Sequence, residues 1–250
     1  MTTNWLWPRI FAHRGAGRLA PENTLAALRE GARLGARGLE CDVKLTRDGV
    51  CALLHDDSLE RTTDGHGPAA MLDWTDWAQL DAGSWHSPAY AGEPPASLRA
   101  IAHACRALGH AINIEIKPCP GREAETGRVV AGQCAALWAD APLPPLLSSF
   151  SFETLLAARQ AAVQLPRGWL VEAVPPDWHD KLQALDARAL HCWHEALSAA
   201  QVAEIKAAGY AVFCYTVNTP ARAQELFSWG VDALCTDYPD QLTPARCGIG

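Results

Sequence analysis

GLECDVKLTRDGVCALLHDD, residues 38–57, decides the fold. Gly38–Leu45 is a strand-like run broken by Glu40 and Asp42, and Val50–His55 is a second such run. Only a tight turn containing Asp48-Gly49 separates them, whereas a parallel crossover needs roughly a dozen residues. An Asp-Gly turn makes an antiparallel hairpin. The second run is therefore a returning strand and not a member of a parallel sheet. With Asp48-Gly49 as a two-residue loop, Arg47 faces Val50, Asp42 faces His55 and Glu40 faces Asp57. His55 is then delivered to the face that carries the carboxylates.

Outward from this hairpin, short apolar runs alternate with amphipathic segments. Setting the returning strand aside leaves eight strands, at 9–12, 38–45, 112–117, 146–150, 168–171, 189–192, 212–217 and 232–236. Amphipathic stretches near 97–108, 123–138, 151–163, 198–209 and 220–229 separate most of them. Asn23 or Thr24 caps a helix with Leu25, Leu28 and Ala32 on one face and Gly35 past its end. Alternation of this kind predicts a parallel sheet with crossover helices, and eight strands close a (β/α)8 TIM barrel of the α/β class. The whole chain, 1–250, reads as one domain with an insertion at about 46–95. Trp74, Trp77 and Trp85 in that insertion are interleaved with Asp73, Asp76 and Asp81, which reads as a small core and not a membrane-docking patch.

Apolar residues make up 49% of the 250-residue chain, enough for a large core and against wholesale disorder. A formal charge of -7 argues against non-specific nucleic-acid binding, which needs a basic footprint. No apolar run approaches the ~18 residues of a membrane span. The opening stretch MTTNWLWPRIFAHRG has no basic n-region and no apolar h-region, so no cleaved leader is expected. Nine cysteines, odd in number and without a C-x-x-C pair, read as buried small hydrophobes in a reducing cytoplasm.

Barrel active sites lie at the C-terminal ends of the strands. The first strand ends in His13-Arg14-Gly15, the second carries Glu40 and Asp42, and the third carries Glu115 and Lys117. Residues i and i+2 share a face, so each of the latter pairs points together. Each group has a plain reading of its own. Glu40 and Asp42 could pair with Arg37 or Lys44, and Glu115 with Lys117. Three carboxylates converging in apolar strands nevertheless demand a compensating charge, because buried carboxylates are costly unless paired or metal-bound. Ser148 and Ser149 have no sequence-adjacent base and read as polar wall. Trp193 of the His191–His194 run reads as pocket wall and His194 as surface.

At these residues the chain resembles the glycerophosphodiester phosphodiesterase family, of the small bacterial type. The likeness runs through FAHRGAGRLAPENTLAAL at 11–28, GLECDVKLTRDGV at 38–50, HDDSLERTTDGHG at 55–67 and INIEIKP at 112–118. It continues in LLSSF at 146–150 and GVDALCTDYPD at 230–240. In CYTVN at 214–218, Tyr215 stands where the family usually carries Trp near the substrate pocket.

The resemblance implies a cytoplasmic phosphoric diester hydrolase that releases sn-glycerol 3-phosphate and an alcohol from a small glycerophosphodiester. It places Glu40, Asp42 and Glu115 on metal-ligand positions and His13 and His55 on acid/base positions. Arg14 and Lys117 fall on phosphate-contacting positions, with Tyr215 at the substrate. Carboxylate-only ligation suits one divalent cation, Mg²⁺ or Ca²⁺, over zinc. In-line displacement at phosphorus requires the two histidines to flank that cation. Water and the substrate 2-hydroxyl are both open as nucleophile. Two other readings stay open: a related barrel phosphodiesterase acting on lysophospholipids, which needs an apolar trough, and a non-catalytic binding protein on the same barrel.

Overall fold

Thr24 turns the chain from its first strand, Ile10–Ala12 (β1), into the helix Leu25–Arg33 (α1), its side chain accepting a hydrogen bond from the Ala27 amide. The computed structural model describes residues 5–249. Met1–Asn4, where the reading of an absent leader begins, lie outside the described residues. The wholly buried strand Gly38–Leu45 (β2) follows, then the short Cys51–Leu53 (β3), Trp74–Trp77 (α2) and Leu98–Leu108 (α3). From there strand and helix alternate: Ala111–Ile116 (β4), Glu123–Leu137 (α4), Leu146–Ser149 (β5), Phe152–Ala161 (α5), Arg167–Val171 (β6) and Trp178–Leu185 (α6). Ala189–Trp193 (β7), Ala199–Ala207 (α7), Ala211–Tyr215 (β8), Pro220–Ser228 (α8) and Ala233–Thr236 (β9) complete the series. Ser97, Ser151, Ser198 and Thr219 cap α3, α5, α7 and α8 with side-chain oxygens that satisfy otherwise orphaned amides.

Among the described residues the strand order is β1-β9-β8-β7-β6-β5-β4-β2-β3, and β1 also pairs with β2. That pairing closes eight parallel strands into a TIM barrel. The ninth strand, β3, runs antiparallel along the end of β2. Parallel register sets Asp42 beside Glu115, Glu40 beside Asn113, and Glu115 beside Ser148. Apolar side chains of β2 and β4 pack outward against α3 and α4, and those of β6–β9 against α5–α8. Inside the barrel, Phe11, Ala111, Leu146, Phe213, Ala233 and Cys235 form a separate plug with Trp7. No helix among the described residues is long and apolar enough to cross a membrane. All nine cysteines are free and buried.

The hairpin is antiparallel as its turn requires, but its register is one residue away from the two-residue-loop reading. Val43 pairs with Leu53, Lys44 with Ala52 and Leu45 with Cys51, which sets Asp42 opposite Leu54 and not His55. The turn holds three residues, Arg47-Asp48-Gly49, closed by the Thr46 amide donating to the Val50 carbonyl at 3.0 Å. Gly49 takes φ 83°, the left-handed residue of a three-residue hairpin loop. The Thr46 hydroxyl favours this closure, because it accepts from the Val50 amide at 2.9 Å. His55 therefore stands beyond the ladder, with no strand partner to aim it. In the insertion, Trp77 is fully buried with Ala52, Leu54, Leu59 and Ala69, and Trp74 packs against them. Trp85 departs from the core reading: it is 39% exposed. Its indole N–H donates to the Ala82 carbonyl at 2.8 Å.

Candidate active site

Glu40, Asp42 and Glu115 converge at the mouth of the barrel, and one oxygen from each lies within 4.8 Å of the others. Three carboxylates so close, two of them buried and Glu115 half-buried, cannot all ionise without help. Burial and the neighbouring Asp42 charge push Glu40 up to about 8. The same two causes push Glu115 up to about 7, against the pull of Lys117. Burial raises Asp42 as well, but Arg14, His55, Lys117 and Asn23 outweigh it and hold Asp42 below its ordinary value. Glu40 Oε1 is buried and has no hydrogen-bond partner among the described residues.

Arg14 and Asn23 reach this cluster from the loop after β1. The loop turns tightly, with Arg14 at φ 51°, and directs the Arg14 amide to Glu40 Oε2 at 2.8 Å. Gly17 lets it close on the end of β9: a Cβ there would meet the Asp237 carbonyl oxygen at 2.1 Å. The Arg14 guanidinium lies 2.7 Å from Glu22 and 3.3 Å from Asp42 Oδ2. Asn23, left-handed at φ 60°, leaves capping to Thr24. Its side chain donates to Asp42 Oδ2 at 2.8 Å and accepts from the Asp42 amide at 3.0 Å.

The two histidines are held separately. His13 Nδ1 lies 2.7 Å from Asp237 Oδ1, and its Nε2 lies 3.9 Å from Glu40. Asn218 steadies Asp237 from the other side at 3.0 Å. Burial lowers the His13 pKa, but the Asp237 bond and the Glu40 charge more than reverse this, so the net shift is upward. His55 Nδ1 lies 2.6 Å from Asp56 Oδ1, and its Nε2 lies 3.1 Å from the Lys117 ammonium. An ammonium has no lone pair, so Nε2 accepts and Nδ1 carries the proton. Burial, with Arg14 and Lys117 nearby, leaves the His55 pKa lowered despite Asp42 and Asp56. Each ring opens on its own recess. One, about 460 Å³, is lined by His55, Glu115, Lys117, Ser149 and Phe150. The other, about 420 Å³, is lined by His13, Arg14, Arg18, Trp85 and Asp237.

The plain ion-pair readings hold only in part. Lys44 pairs with Asp57 at 2.6 Å and not with the carboxylate cluster. Lys117 does pair with Glu115, at 3.1 Å, while also holding His55. Tyr215 stands at the end of β8, edge-on to Phe150 at 5.8 Å, with its hydroxyl donating to the Val171 carbonyl at 2.8 Å. Ser148 accepts from Asn113, and the Ser149 hydroxyl donates to the Ile116 carbonyl, as polar wall requires. Trp193 is exposed, whereas His194 is half-buried and accepts from Arg222 at Nδ1. Glu22, Asn23, Asp56, Arg61, Asn218 and Asp237 escape a strand-end reading because they lie on loops. The PEN and HDD runs were the available signal for the first three.

The sequence profile of the Glycerophosphoryl diester phosphodiesterase family matches residues 13–241. A glycerophosphodiester phosphodiesterase of Caldanaerobacter subterraneus is 30% identical over 239 residues, covering 93% of this chain and 95% of that protein. An Oleispira antarctica phosphodiesterase, solved in complex with the product sn-glycerol-3-phosphate, superposes with TM-score 0.88 at 37% identity, covering 94% of each chain. A glycerophosphodiester phosphodiesterase from Agrobacterium tumefaciens superposes with TM-score 0.76 at 28% identity, covering 93% of this chain and 97% of the other.

Proposed function

The chain belongs to the glycerophosphoryl diester phosphodiesterase family of phosphoric diester hydrolases, and we propose that it hydrolyses small glycerophosphodiesters to sn-glycerol 3-phosphate and an alcohol with one divalent cation and two histidines. One observation carries this reading: three converging carboxylates with His13 and His55 opening on separate recesses.

The residues fit a hard cation. Glu40 Oε1 is a buried oxygen without a partner among the described residues, and the donors at the convergence are all carboxylate. Oxygen-only donors suit Mg²⁺ or Ca²⁺. Glu40, Asp42 and Glu115 would hold the ion, which when bound supplies positive charge to the phosphoryl oxygens.

The chain's own groups do the rest. Arg14 and Lys117 place two further positive charges at the mouth. Asp237 and Asp56 each fix a histidine by Nδ1, leaving the His13 Nε2 facing Glu40 and the His55 Nε2 facing the Lys117 ammonium. One ring takes the proton of the attacking hydroxyl or water while the other donates to the departing oxygen. Imidazole suits both tasks near neutral pH, and the opposite pKa shifts of His13 and His55 bias the pair toward one protonated and one neutral ring. Lys44, Asp56, Asp57, Lys117 and Ser151 line the His55 recess beside Ile116, Pro118 and Phe150, and the charged groups among them favour a short polar alcohol over an acyl chain.

Purified protein should release glycerol 3-phosphate from glycerophosphocholine, lose this activity on exhaustive chelation, and turn over a lysophospholipid poorly. Full activity after chelation would remove the metal from the scheme. A dominant lysolipid activity would replace the substrate class.

A further inference from the structure

We infer that Arg61, a residue of the insertion that touches neither the histidines nor the converging carboxylates, is a positioning residue that aims His55 and Arg14 together. This rests on the proposed function. One face of its guanidinium grips Asp56, with Nε at 2.6 Å and Nη2 at 2.9 Å. The other grips Glu22, with Nη1 and Nη2 each at 2.8 Å. Asp56 holds His55 Nδ1 at 2.6 Å, and Glu22 holds the Arg14 guanidinium at 2.7 Å. The chain His55–Asp56–Arg61–Glu22–Arg14 thus ends 3.3 Å from Asp42.

The hairpin register explains why such a device is needed. β3 ends at Leu53, so His55 lies past the ladder and no cross-strand bond orients it. Its direction depends on Asp56, and Asp56 depends on Arg61. Glu22 sits in the loop after β1 and Asp56 in the segment after β3, so this one side chain ties the insertion to the barrel. Lysine cannot substitute, because a single ammonium cannot meet two planar carboxylates bidentately. The Arg61 side chain is 43% exposed, which makes a large stabilising role a poor account of it.

Arg61→Lys and Arg61→Ala test this beside the wild type, with kcat, pH profile, melting temperature and the NMR titration of the His55 ring. The groups facing that ring are Asp56, Lys117, Asp42 and Arg14. Arg61→Lys keeps the charge and tests the bidentate geometry alone, whereas in Arg61→Ala the counter-charge is gone and the Asp56 charge acts on His55 uncompensated. The His55 titration and the acid limb of kcat/KM should then move to higher pH, by roughly half to one unit. In both variants kcat should fall by roughly ten- to a hundredfold, with the melting temperature little changed. Guanidinium ion at tens of millimolar should restore Arg61→Ala at least partly and leave the wild type unaffected. An unmoved His55 titration with kcat within twofold of wild type would overturn the inference, as would a lowered melting temperature with an unmoved limb. Should Arg61→Ala not fold, Arg61→Gln, which also removes the charge, is read by the same titration. The NMR reading needs no turnover. A wild type that releases no glycerol 3-phosphate therefore refutes the proposed function separately, while the shift still decides the role of Arg61.

Discussion

Adding Mg²⁺ or Ca²⁺ to metal-free protein at pH 7 should release protons, because two of the proposed ligands are not fully ionised beforehand. Glu40, raised to about 8, stays largely protonated at that pH, and Glu115, raised to about 7, stays partly so. Asp42, held low, contributes none. Binding should therefore expel on the order of one to two protons at pH 7 and fewer at pH 9. Apparent affinity follows: it should tighten steeply from pH 6 to 8 and level off toward pH 9. Isothermal titration in two buffers of different ionisation enthalpy counts the protons directly. Stability supplies an independent check. A carboxyl raised above its unfolded value stabilises at low pH and loses that contribution as pH rises through the folded value. Without metal, stability should thus fall between about pH 5 and 8, by roughly 1.4 kcal/mol per unit for each protonated carboxyl before solvent relaxation, and metal should cancel the fall. Asp42→Asn should abolish tight binding while leaving the circular dichroism of the barrel unchanged. Affinity independent of pH between 6 and 8, with no proton released, would refute the raised protonation of Glu40 and Glu115 in the metal-free site, whereas tight binding retained in Asp42→Asn would refute the ligand set.

His13→Ala and His55→Ala should each lower kcat by about 10²–10⁴, and the double variant should fall short of the product if the two act in one displacement; wild-type turnover in either single variant removes that ring from the chemistry. Glycerophosphocholine, glycerophosphoethanolamine and glycerophosphoglycerol should be hydrolysed with kcat/KM within about tenfold of one another, since Tyr215 and Phe150 meet edge-on and do not enclose a cation; a preference above a hundredfold would contradict this. His191 is fully buried, stacked on Phe213 at 4.5 Å, and has neither ring nitrogen hydrogen-bonded among the described residues. Burial lowers its pKa to about 3, so its neutral form stabilises the fold above pH 6.5, and this is lost on acidification at up to about 1.4 kcal/mol per unit. His191→Leu should lose about 2 kcal/mol less than wild type in urea unfolding between pH 7 and 5; equal losses would place a compensating partner on the ring.

The barrel was legible because its signals are local. Apolar runs, caps such as Thr24 and Ser97, and the short Asp48-Gly49 turn each act within a few residues, and together they allow eight parallel strands and one return strand. The i, i+2 spacing of Glu40 with Asp42, and of Glu115 with Lys117, likewise put each pair on one face before any coordinates were needed. The register failed by one residue because Thr46, Asp48 and Gly49 close a three-residue loop, a choice made by hydroxyl and amide geometry that the Asp-Gly pair alone does not specify. What tertiary structure alone decided is non-local. Asp237 meets His13 across 224 residues of chain, Arg61 meets Glu22 across 39, and Asn23 meets Asp42 across 19. Protonation belongs to the same class. Glu40 and Asp42 are two residues apart on one strand, yet Arg14 and Asn23 reach Asp42 with charge and hydrogen bonds while one Glu40 oxygen has no partner among the described residues. A pKa depends on burial and on neighbours brought in by folding, and neither is encoded at the residue that titrates.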